Sequence, residues 1–102
     1  MIRVIYDPRH RRLQMQGHAG YPCKGIDPIC CAASTLCCTL AENVQHFDPH
    51  AQILLRRGYA RIQCRKKGAT PMFDFCYRGL AALAAQYPDH IRCLHTKEDL
   101  WK

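Results

Sequence analysis

The chain has 102 residues, 48% of them hydrophobic, with 15 Lys and Arg against 8 Asp and Glu for a formal net charge of +7. This length and composition predict one folded domain spanning residues 1–102 and exclude a disordered chain. No apolar run reaches the ~20 residues of a membrane-spanning helix, and the excess of positive charge suits either an anionic neighbour or a solvated basic surface.

In chain order, Ile2, Val4 and Tyr6 alternate with polar residues at the period of a half-buried strand. Asp7-Pro8-Arg9-His10 reads as a turn, and Leu13 and Met15 continue as a second strand, so residues 1–17 predict a hairpin. A glycine-bearing loop runs from Gly17 to Gly25. Asp27-Pro28 then opens a helix, because Asp is a preferred cap and Pro is at home in the first turn. Ile29, Ala33, Leu36, Leu40 and Val44 form one buried stripe of that helix, which should fade before Pro49. Ile53 and Leu55, then Tyr59, Ile62 and Cys64, predict two strands joined near Arg57-Gly58. A second helix starts after Thr70-Pro71, with Met72, Cys76, Leu80, Leu83 and Tyr87 inward and Pro88 as its stop. Ile91 and Cys93 alternate as a last strand. The order β-β-α-β-β-α-β predicts an α+β two-layer sandwich, with two helices on a mostly antiparallel sheet of about five strands.

The eight cysteines do not read as a disulfide framework. Cys30-Cys31 and Cys37-Cys38 are adjacent pairs within a helical pattern, where neighbours point in different directions. The N-terminus lacks the layout of a secretory signal. Reduced thiols in the cytoplasm are therefore expected.

The chemistry concentrates between Gly17 and Ser34. With Asp27 as cap, Cys30 falls in the first helical turn, among main-chain N–H groups that lack intrahelical partners. That end of the helix dipole favours a thiolate, the attacking form of cysteine, and the same N–H groups suit an oxyanion. His18, just ahead of the loop, can serve as base if the loop folds back. Asp27 is expected to point at backbone amides. Cys31, turned by about 100°, is expected to pack in the core. Ser34 sits one turn beyond Cys30 on the same face. A cysteine on an apolar helix is more often a small core residue, so these residues alone leave the protease reading open.

Here the sequence resembles the ribosomal-processing cysteine protease (Prp) family. The resemblance rests on Gly17-His18-Ala19, Gly25-Ile26-Asp27, Cys30 and Ser34 at the family's spacing, and on Gly79-Leu80 and Tyr87-Pro88 near the end. It spans nearly the whole chain and implies an α+β fold, a homodimer and no cofactor. The implied activity is removal of an N-terminal extension from the precursor of bacterial large-subunit ribosomal protein number twenty-seven. The family's nucleophile falls on Cys30 and its base on His18, with Asp27 and Ser34 in supporting roles. Gly17, Ala19, Gly20, Tyr21 and Gly25 fall in the substrate loop, where Gly20 and Gly25 would be flexible points. Pro22-Cys23-Lys24, Pro28 and Cys31 depart from the family's usual residues.

Two other readings compete. Arg9-His10-Arg11-Arg12, Arg56-Arg57 and Arg65-Lys66-Lys67 are basic clusters near turns, as in a non-enzymatic, ribosome-associated RNA-binding module. Cysteine and histidine are numerous enough for a metal site, but no Cys-x-x-Cys occurs, and no metal is expected.

Overall fold

The computed structural model describes residues 1–95. Its elements are β1 (Ile2–Asp7), β2 (Arg12–Gln16), α1 (Pro28–Phe47), β3 (Gln52–Arg56), β4 (Tyr59–Gln63), α2 (Thr70–Gln86) and β5 (Ile91–His95), with a short 3₁₀ turn over Lys67–Ala69. The order and the α+β class are those expected. The sheet runs β3-β4-β2-β1-β5. β1 pairs β5 in parallel, and the other three pairings are antiparallel.

Strand alternation gives the sheet one greasy face. Ile2, Val4, Tyr6, Leu13, Met15, Ala60, Ile62 and Ile91 are buried and meet the two helices. From α1 the buried residues are Ile29, Ala33, Cys37, Leu40, Ala41 and Val44; from α2 they are Phe73, Cys76 and Leu80. The helices pack closely because Gly79 has no side chain: a Cβ there would lie 3.2 Å from both Leu36 methyl groups.

The helix faces differ in detail from the sequence reading. Phe73, not Met72, is fully buried, and its ring stacks on Tyr6 with centroids 6.3 Å apart. Met72 and Leu83 are half-buried, and Tyr87 caps α2 rather than lying within it. In α1, Cys37 is buried while Leu36 is half-buried. Cys31 is exposed, against the expectation of a core thiol. It follows the buried Ile29 by two residues, about 200° of helix rotation, and so faces away from the sheet. On β4 the buried positions are Ala60 and Ile62, continued by Cys64 just beyond the strand, which turns Tyr59 to the outer face.

The hairpin between β1 and β2 turns through Arg11, which adopts a left-handed backbone at φ 47. Its guanidinium donates to the carbonyls of Cys64 at 2.9 Å, Arg65 at 3.0 Å and Arg9 at 3.1 Å. All eight cysteines are unbridged. Among the described residues, no helix is long and apolar enough to cross a membrane.

Candidate active site

Asp27 starts α1 in the way its position predicts. Its Oδ1 accepts the N–H groups of Ile29 at 2.9 Å and Cys30 at 3.2 Å. Oδ2 accepts the N–H of Tyr21 at 3.2 Å, which ties the loop to the helix start. The main-chain carbonyl of Asp27 takes the Cys31 N–H at 3.0 Å. Partial burial works against charge on this carboxyl. The amides of Cys30, Tyr21 and Ile29 and the Cys30 thiol outweigh that cost and hold it below the usual carboxylate range.

This capping changes the surroundings of Cys30. The amides expected to face its sulfur are taken by Asp27. The N–H that does reach the sulfur comes from the loop: Ala19 donates to Cys30 Sγ at 3.2 Å. The thiol is half-buried, and it lines a cleft of about 650 Å³ with His18, Asp27 and Ser34. His18 and Cys30 thus share one cleft although eleven residues intervene in the chain.

His18 is exposed and its ring lies against the β3–β4 turn. β2 pairs with β4 so that Gln16 lies opposite Tyr59, and the Gly17 N–H continues the ladder onto the Gly58 carbonyl at 2.9 Å. The chain then delivers the imidazole onto Gly58. A Cβ at Gly58, whose φ is +75, would sit 3.0 Å from His18 Nε2. Gly17 is equally constrained, since a Cβ there would fall 2.4 Å from the Met1 carbonyl oxygen. Among the described hydrogen bonds none joins Asp27 to His18, so the carboxylate serves the helix and the loop.

The first half of the loop is anchored. Ala19 is buried, and its carbonyl accepts a hydrogen bond from His90 Nδ1 at 2.9 Å. Tyr21 packs edge-on against His90 and Tyr87, with centroids 5.3 and 5.9 Å away. Its ring therefore leaves the cleft wall to Gly17, Gly20, Gly25 and Ile26. Gly20 and Gly25 have positive φ, 66° and 83°, and open space around them. The cleft also contains Leu55, 45% exposed, and Ile26, 82% exposed. Apolar side chains left in water beside a thiol and an imidazole suit an extended peptide. Among the described residues, no group of three or more His, Cys, Asp or Glu is placed to hold a metal ion.

The family described as cysteine protease Prp matches residues 1–92 of the chain. The chain belongs to this family. It is accordingly a cysteine protease, and the reading as a non-enzymatic module falls away. The Prp fold is also seen in the essential ribosomal processing protease Prp from S. aureus in complex with a covalently linked product peptide, at a TM-score of 0.81 and 19% identity, covering 94% of this chain and 100% of that one. The same protease in complex with a substrate peptide gives a TM-score of 0.77 at 18% identity, with the same two coverages. SMU.848 from Streptococcus mutans is similar at a TM-score of 0.69 and 21% identity, covering 93% of this chain and 91% of that one. At these identities the likeness speaks to the fold. No curated protein sequence matches the chain.

Gly58 and His90 escaped the sequence reading as parts of the site, and Ala19, expected in the substrate loop, was not foreseen as the donor to the Cys30 sulfur. For Gly58 a signal existed, a glycine at a tight turn between two strands. For His90, 71 residues from Ala19, no local pattern points to the loop.

Proposed function

We propose that Cys30 is the nucleophile and His18 the general base of peptide-bond hydrolysis in a catalytic unit spanning residues 1–102. The observation that carries this reading is the 3.2 Å hydrogen bond from Ala19 N–H to Cys30 Sγ, which ties the residue after the imidazole to the sulfur. His18 removes the thiol proton as the sulfur attacks the scissile carbonyl carbon. The C–N bond then breaks, the leaving amine takes the proton from His18, and the acyl group stays on sulfur as a thioester. A water molecule, giving its proton to His18, attacks the thioester; the C–S bond breaks, and the acid and free thiol return. Asp27 positions the start of the helix and the loop. Ser34, exposed on the cleft wall one turn from Cys30, contacts the bound chain.

The substrate is the N-terminal extension of the precursor of large-subunit ribosomal protein number twenty-seven, processed in the cytoplasm close to the ribosome. The Prp family and its solved relative, described as a ribosomal processing protease, support that choice. The exposed Leu55 and Ile26 suit a substrate with bulky apolar residues near its cut. The loop from His18 to Asp27 closes over the peptide by rotation at Gly20 and Gly25. The enzyme acts as a homodimer, which sedimentation equilibrium tests directly. Cleavage of the extended precursor, followed by mass spectrometry, is the deciding experiment. Cys30→Ala and His18→Ala should each abolish product while leaving the circular dichroism spectrum intact. Product from purified Cys30→Ala protein would end the assignment.

A further inference from the structure

The outer face of the sheet lies opposite the helices, and its β3–β4 end, at Arg56 and Tyr59, also borders the cleft. Strand alternation sends Arg3, Ile5 and Asp7 of β1, Arg12, Gln14 and Gln16 of β2, and Arg92 and Leu94 of β5 outward, with Gln52, Leu54 and Arg56 of β3 and Tyr59, Arg61 and Gln63 of β4. Among the described residues these strand positions carry five arginines and one acid, and that acid, Asp7, is buried and engaged by His10 at 2.7 Å and Arg12 at 3.5 Å.

The register organises this charge. Arg92 lies opposite Arg3, Arg3 opposite Gln16, Gln16 opposite Tyr59 and Tyr59 opposite Arg56. These five side chains form one row across all five strands, about 19 Å long at a strand spacing of ~4.8 Å. Arg3, Arg56 and Arg92 are exposed, and among the described residues none of the three has an acidic partner. Like charges directly opposite on neighbouring strands repel, so the Arg3–Arg92 pair disfavours the bare face and favours a face covered by anions.

We propose that this face binds RNA, with the Arg92–Arg3–Gln16–Tyr59–Arg56 row laid along the sugar-phosphate backbone. The composition favours RNA over an acidic protein. Every cation is an arginine, whose planar fork matches phosphate oxygens in pairs. Gln14, Gln16, Gln52 and Gln63 both donate and accept hydrogen bonds, as ribose hydroxyls and base edges require. Tyr59 offers a ring for one base to stack on. The chain-contiguous basic clusters are a weaker candidate, since Arg11 is consumed by backbone carbonyls and Lys66 lies over the Phe47 ring. RNA binding here uses neither Cys30 nor His18, and Arg92, Arg3 and Gln16 lie outside the cleft that Arg56 and Tyr59 border.

The test is fluorescence anisotropy of a labelled single-stranded oligoribonucleotide titrated with the full chain across a salt series. Binding should weaken linearly in log affinity against log salt. In Arg3→Gln/Arg92→Gln the slope should be shallower by about 1.4, at ~0.7 per lost phosphate contact. Hydrolysis of a short peptide should be unchanged in the same variant, and Lys66→Gln/Lys67→Gln should keep the wild-type slope. On the unmodified protein, RNA should shift amide resonances along the row in all five strands and spare the outer surfaces of α1 and α2. Equal RNA affinity in the Arg3/Arg92 variant, resonance shifts confined to the helices, or competition by polyglutamate as strong as by RNA would each overturn the proposal.

Discussion

The imidazole of His18 occupies the space that a side chain at Gly58 would need, with Nε2 3.0 Å from the position of the missing Cβ. A turn joining two strands on the far side of the cleft therefore sets where the ring can sit. This follows from β2 pairing with β4, which carries the end of one hairpin to the turn of the other.

Gly58→Ala should impair catalysis more than stability. The left-handed backbone costs a non-glycine residue about 1–2 kcal/mol, and the added methyl displaces the ring. A displacement on the scale of an ångström lowers kcat/KM by up to about 100-fold. Steady-state kinetics and urea unfolding on the same preparation separate the two effects. Wild-type kcat/KM in the variant would show that the ring's seat on Gly58 is irrelevant.

His90→Ala removes the donor to the Ala19 carbonyl and the ring that Tyr21 packs against. One such hydrogen bond contributes about 1 kcal/mol. The substitution should speed amide hydrogen exchange at Ala19 and Tyr21 and reduce kcat, while exchange in β3 and β4 stays as in the wild type. Unchanged exchange at Ala19 would mean that His90 does not hold the loop.

Asp27 couples the site to pH. Its folded carboxyl titrates below the usual 3.8 because the amides of Cys30, Tyr21 and Ile29 and the Cys30 thiol outweigh the cost of its partial burial. A depressed folded value contributes stability that is complete above the unfolded value and is lost as pH falls through the folded one. Wild type should therefore exceed Asp27→Asn in urea midpoint by a constant amount near neutrality, with the difference shrinking below about pH 4. A pH-independent difference would mean that the ionised carboxylate is not what caps the helix.

Phe73→Ala should be among the most damaging core changes. The ring is fully buried and stacked on Tyr6, whose hydroxyl bonds to Asp74 Oδ1 at 2.5 Å. Emptying such a site costs about 3–5 kcal/mol, against less than half of that for the half-buried Met72→Ala. Denaturant unfolding of the two variants compares them directly. The reverse order would restore Met72 as the inward residue of that turn.

The two helix faces show how far the sequence could be read. A 3.6-residue period marks a broad apolar stripe, so Met72 and Phe73, or Leu36 and Cys37, are nearly equivalent until a partner surface exists. In the fold Phe73 and Cys37 are the buried members, while Leu36, half-buried, lies against Gly79 of α2. Strand parity was clearer where residues alternate strictly, as in Ile2, Val4 and Tyr6, than in β4, where Tyr59 and Ile62 both looked apolar yet face opposite sides.

The sequence by itself determined the features whose causes are local: the cap at Asp27-Pro28, the turn after Asp7, the element order and the grouping of His18, Asp27 and Cys30 near one helix start. Only the tertiary structure decided what meets across the chain. The Ala19 amide reaching the Cys30 sulfur, His18 seated on Gly58, His90 bracing the loop and Arg3 set beside Arg92 all depend on strand register and loop path. Those are fixed by burying the apolar face of the sheet as a whole, which a short stretch of residues does not encode.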